Sequence, residues 1–105
     1  MGKKLQKPMP VKTDTIELDG DYEGWEFEAR LNPPLKVFGD LSSGEFARIS
    51  PALAKIAIRW NFLNEDGTPL PEKPTLEIIE ENINLELATQ MANKFVEKLT
   101  TLVPN

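Results

Sequence analysis

The stretch Ile56 to Pro71, IAIRWNFLNEDGTPLP, constrains the fold more than any other part of the chain. Apolar side chains at Ile56, Ile58, Trp60 and Phe62, with Arg59 and Asn61 between them, show the period of two that marks a half-buried strand. Asn64-Glu65-Asp66-Gly67 then supplies turn residues, and Gly67 can take the positive φ that a tight turn demands. Thr68-Pro69-Leu70-Pro71 follows as a stiff, extended exit. Two large aromatics, Trp60 and Phe62, on one face of a short strand make it the centre of a small core, and core packing is their expected first role. Leu53, Ile56, Ala57 and Trp60 also fit a helical stripe, so a helix must hand over to this strand near Lys55.

The segment from Thr15 to Leu31 reads as a hairpin. Ile16 and Leu18 alternate with Glu17 and Asp19, and Trp25, Phe27, Ala29 and Leu31 alternate with Glu26, Glu28 and Arg30. Asp19 to Gly24 forms the loop between them. Glu17, Glu26 and Glu28 are expected to face water. Asn32-Pro33-Pro34 ends the second strand, because proline lacks the ladder donor. Leu35 to Asp40 reads as a connector. Ser42-Ser43-Gly44-Glu45 fits a capping box ahead of Phe46, Ile49 and Leu53 at helical spacing. Pro51 makes this either one kinked helix or a turn followed by a helix that Ser50 caps. A short helix is expected over Thr75 to Glu81, with Leu76, Ile79 and Ile83 inward. Asn82 or Asn84 would cap a last helix over Leu85 to Val103. The expected fold is α+β in the order β-β-α-β-α-α, with the hairpin at 15–31 and the strand at 56–63 in one small antiparallel sheet packed by three helices.

Charge separates the chain into two parts. Lys3, Lys4, Lys7 and Lys12 give residues 1–12 a charge of +4, whereas the remainder holds 8 basic and 17 acidic residues and carries −9, for a net −5. Residues 1–13 therefore read as a disordered basic arm on one domain over 14–105, long enough for a single modest core. The acidic body argues against nucleic acid as a partner. No run of about 18 apolar residues is available to span a membrane, and the N-terminal residues lack the apolar stretch of a signal peptide. The expected location is the cytoplasm.

Functional chemistry is limited by the residue inventory. The chain has no cysteine and no histidine, which removes thiolate ligands, disulfides and the commonest general base. Glu65-Asp66 and Glu80-Glu81 are adjacent acids that point in different directions on a turn or helix, so neither pair is set for acid–base work. No phosphate loop appears, and no nucleophile has a base beside it. Asp19, Asp21 and Glu23 are spaced like early calcium-loop ligands, but Arg30 stands where the bidentate glutamate belongs. No catalytic residue, metal or cofactor is expected.

The last helix carries the strongest binding signal. At about 100° per residue, its ten apolar residues from Leu85 to Val103 fall within one half of the wheel. That is wider than the ~100° stripe one core needs. The middle of the arc should serve the core and an edge should serve a partner, either a second copy of the chain or a partner helix. Leu87 and Met91 on one edge, with Val96 on the other and Leu102, are the candidate partner-binding residues, methionine being suited to varied surfaces.

The segments GWEFEARLNPPL and WNFLNEDGTPLP, followed by a terminal amphipathic helix, resemble the tail assembly chaperones of long-tailed bacteriophages and prophages. Gly24, Trp25, Trp60, Asn61, Phe62, Asp66, Gly67, Pro69 and Leu70 carry the resemblance, which spans most of residues 20–103. It implies a non-catalytic protein of the bacterial host cytoplasm. Such a protein would bind the long helical tape measure protein, keep it soluble, help recruit tail tube protein and be missing from the finished virion. Many members are made in a short and a frameshifted long form. A phage tail or connector structural subunit, and a host protein-interaction adaptor, are the alternatives.

Overall fold

The computed structural model describes residues 6–102 and, at Leu102, the backbone alone. The elements run β1 (Thr13–Glu17), β2 (Glu26–Arg30), α1 (Leu35–Leu41), α2 (Phe46–Ile56), β3 (Ala57–Trp60), α3 (Leu76–Asn82) and α4 (Leu85–Leu102). The class is α+β, and the antiparallel sheet has the order β1-β2-β3. Four helices pack with it rather than three, so the order becomes β-β-α-α-β-α-α.

The additional helix is α1, where a connector was expected. Pro34 immediately before it has a φ of −55°, and a helix start needs no N–H from the residues ahead of it. Val37 and Leu41, one turn apart, are both buried, and Lys36 bridges to Asp40 across the same spacing at 3.0 Å. The capping box ahead of α2 does not form. Glu45 is itself the cap residue, and Ser43 Oγ accepts from the Glu45 N–H while donating to the Asp40 carbonyl. The helix runs through Pro51 without a break, because Ile49, Ala52, Leu53 and Ile56 all bury on one stripe. That burial offsets the one helical hydrogen bond that proline removes.

The handover to the sheet takes no loop: Ile56 ends α2 and Ala57 begins β3. The simple alternation expected for 56–63 is interrupted. Phe27 pairs with Trp60 and Glu28 with Arg59, but Ala29 pairs with Ala57, which leaves Ile58 as an extra residue. The bulge puts Ala57 and Trp60 on the buried face together and leaves Ile58 half-exposed. Beyond it, Asn64 to Gly67 turns as expected. The Gly67 N–H reaches the Asn64 carbonyl, Gly67 has a φ of +89°, and the Leu70 N–H returns to the Phe62 carbonyl. Asp66 Oδ1 accepts from both the backbone and the hydroxyl of Thr68.

At the other end of the sheet, β1 starts at Thr13 rather than Thr15. The preceding residues are tied down: the Lys12 N–H donates to Asn32 Oδ1, and Asn32 Nδ2 donates to the Pro10 carbonyl. The segment expected to be a free arm up to residue 13 is thus anchored from Pro10. Lys3 and Lys4 lie outside the described residues. Thr75 caps α3 through the Ile78 N–H, and Asn84 caps α4 through the Leu87 N–H. The buried apolar residues of all these elements join in one cluster. No helix among the described residues is long and apolar enough to cross a membrane.

Candidate interaction surface

The two faces of α4 divide differently from the expectation. Leu87, Ala88, Met91, Ala92 and Phe95 are buried, and Met91 has no exposed surface at all. Leu87 and Met91 are therefore core residues of the single chain and do not form a partner-facing edge. The reason lies in how α4 packs: it contacts both α2 and β1, so its covered stripe includes the flank that reaches β1. Lys94 and Lys98, next to that flank, hold Asp19 at 2.6 Å and Asp14 at 3.0 Å.

The uncovered apolar surface lies on the opposite flank. Val96, about 180° from Leu87 on the wheel, is half-exposed, as is Leu99. Leu85, about 20° from Val96, is 62% exposed. Of the four candidate residues, Val96 stands on this surface, Leu87 and Met91 do not, and the Leu102 side chain lies outside the described residues. In the sequence pattern Leu85 falls nearer the middle of the apolar arc, the part expected to serve the core, and the structure instead leaves it exposed. Its position in the first turn, before α4 reaches the core, was the available signal.

A second feature is built from residues distant in the chain. Phe62 is sandwiched between Trp25 and Trp60, with ring centroids at 5.1 and 4.8 Å and planes 25° and 24° apart. Phe27 meets Phe62 edge-on and Tyr22 leans on Trp25. Trp60 Nε1 donates to the Pro71 carbonyl at 2.7 Å. Asn61 ties the strands from the other side, accepting from the Glu26 N–H and donating to the Gly24 carbonyl. Gly24, Trp25, Asn61, Phe62 and the 64–70 hairpin thus form one packed unit.

Five carboxylates, those of Asp14, Asp19, Glu28, Asp40 and Glu45, are engaged in ion pairs among the described residues. Asp40, the one buried charged residue among those described, accepts from Lys36 and from the Arg48 guanidinium, which ties α1 to α2. Asp19, one of the acids at calcium-loop spacing, is held by Lys94, and no group of three ligating side chains suited to a metal is found among the described residues. Hydrogen bonds from Lys36 and Arg48 hold the Asp40 carboxyl below its ordinary value of 3.8. Lys98 does the same for Asp14, and the Thr68 hydroxyl for Asp66. A carboxyl lowered in the folded state stabilises above its unfolded value, and that contribution is lost as pH falls through the folded one. The melting temperature is therefore expected to hold steady from neutral pH down to about 5 and to drop below about 4. An Asp40→Asn variant should start lower and lose less over that window. Thermal melts followed by circular dichroism at stepped pH would check this, and a flat profile through pH 3 would contradict it.

Compared with known protein families, with curated proteins and with solved structures, the chain matches none.

Proposed function

We propose that this protein is a non-catalytic phage tail assembly chaperone that binds the tape measure protein and helps recruit tail tube subunits in the host cytoplasm. The observation that carries the reading is the packed unit around Phe62. The residues that resemble the chaperone family fall in two segments more than thirty positions apart, yet they interlock through Trp25, Asn61 and Phe62. Shared residues that interlock in this way support a common architecture better than two separate short motifs would. The absence of histidine and cysteine from the sequence, and the engagement of Asp14, Asp19 and Asp40 by lysine and arginine, support a binding role over a catalytic one.

A protein that keeps a long amphipathic chain soluble needs apolar surface beyond its own core, and the Leu85–Val96 flank of α4 offers it. Co-expression with the tape measure protein of the same phage is expected to yield a co-purifying complex, with this chain missing from mature particles. Leu85→Gln together with Val96→Gln should leave the melting temperature nearly unchanged and weaken the complex by about 1–2 kcal/mol per anchor. Recovery of the chain in purified particles would favour the structural-subunit alternative. No association with the tape measure protein would sink the chaperone reading.

A further inference from the structure

We propose that β1 is the pairing edge of a symmetric dimer, in which a second copy of this chain lays its own β1 antiparallel alongside and two three-stranded sheets become one. The order β1-β2-β3 leaves β1 at the end of the sheet. The bonds from the Leu18 N–H to the Trp25 carbonyl and from the Leu31 N–H to the Lys12 carbonyl show that the even-numbered residues direct their backbone groups toward β2. In an antiparallel ladder these groups alternate, so Thr13, Thr15 and Glu17 direct theirs away from the sheet. Thr15 bears this out independently, since its N–H is met by the neighbouring Asp14 Oδ1 at 2.8 Å instead of by β2. Pairing with a second strand would exchange that local bond for a ladder bond.

The two ends of the sheet differ in how they treat an incoming strand. Past β3, the chain returns through Thr68-Pro69-Leu70-Pro71 against Phe62 to Asn64, and two of these four residues lack the donor that an added strand would need there. The outward positions of β1 carry Thr, Thr and Glu, with neither the proline nor the lysine that commonly guards an edge. Beside β1 is an open groove, lined by Thr15 and Glu17 on one side and by Lys94, Glu97, Lys98 and Thr101 of α4 on the other.

The chemistry of that edge suits a second copy. A two-fold axis at Thr15 sets Thr15 against Thr15 and Thr13 against Glu17, a register with no acid opposite an acid and a favourable threonine pair at its centre. Sliding it two residues toward the C-terminus would oppose Glu17 to Glu17. The groove beside Thr15 carries Lys94, Glu97 and Lys98 of α4, so a two-fold axis there presents both signs of charge from each copy to the other. This surface is on the side of α4 away from Val96, so the dimer and the proposed tape measure contact do not compete.

The native chain can be tested directly. Sedimentation equilibrium is expected to show a monomer–dimer equilibrium. Amide hydrogen exchange at Thr13, Thr15 and Glu17 should slow as concentration rises, while Asp14 and Ile16, already bonded to β2, stay unchanged. Thr15→Lys places two ammonium groups on the axis at an exposed position and removes no bond to β2. It should weaken dimerisation by about tenfold or more at an unchanged melting temperature. A chain that stays monomeric at every concentration overturns the proposal. So does a Thr15→Lys dimer as tight as the wild type, or concentration-dependent protection confined to α4.

Discussion

Replacing Leu87 and Met91 together by glutamine is expected to unfold the protein. Both side chains lie inside the single cluster that joins the sheet to the helices, beside Phe95 on the same stripe of α4. Losing the apolar contacts of one such residue costs about 2–5 kcal/mol. Each glutamine also brings an amide into a site with no prepared partner, at about 1–3 kcal/mol. The two sites together match or exceed the roughly 5–15 kcal/mol that holds a domain of this size. Far-ultraviolet circular dichroism should show loss of the cooperative melt. Met91→Leu, which keeps volume and polarity, should cost less than about 1.5 kcal/mol and remain folded. A double variant that melts near the wild-type temperature would mean that these residues face solvent, contrary to the packing of α4 on α2 and β1.

Trp60→Ala should be the next most damaging change, at about 3–5 kcal/mol. The indole is buried, stacks on Phe62 at 4.8 Å, and donates to the Pro71 carbonyl at 2.7 Å, so it secures both the strand and the hairpin that follows. Trp60→Phe separates these roles. It keeps an aromatic face against Phe62 but leaves the Pro71 carbonyl without its donor, and is expected to cost about 1–3 kcal/mol. Urea titrations of the three proteins would rank them. A loss below about 1 kcal/mol for the alanine variant would place the ring at the surface and recommend it as a contact for a partner.

The contrast between Leu87 and Val96 shows where sequence reasoning reaches its limit. Ten apolar residues on half a wheel establish that α4 has more apolar surface than one core requires, and Leu85 at 62% exposure agrees. They do not establish which edge of the arc is surplus. That depends on the direction in which the helix crosses β1 and α2, a matter of contacts between residues about 30 to 90 positions apart. Methionine's suitability for variable surfaces pointed to Met91, but the same flexible side chain also fills irregular space in a core.

What the sequence determined by itself was carried by local rules, although the capping box at 42–45 and the strict alternation at 56–63 show that not every local rule held. The Asp66-Gly67 turn, an asparagine cap on the last helix (Asn84 of the two that the sequence offers), and the alternation of Glu26 and Glu28 with Phe27 and Ala29 each follow from bonds or periods within a few residues, and each stands in the structure. Tertiary packing decided the rest. Helix α1 reads as a connector in the sequence, and it is held in place by Asp40 reaching Arg48 in the next helix. The phase of β3 was reset by a bulge, because α2 runs into the strand with no loop and Ala57 and Trp60 must both reach the interior. In the sandwich of Trp25, Phe62 and Trp60 only the Trp60–Phe62 half has a local signal, since Trp25, just ahead of β2, reaches Phe62 only when β2 and β3 pair. Burial is a property of what lies opposite a side chain, and the sequence around that side chain does not contain it.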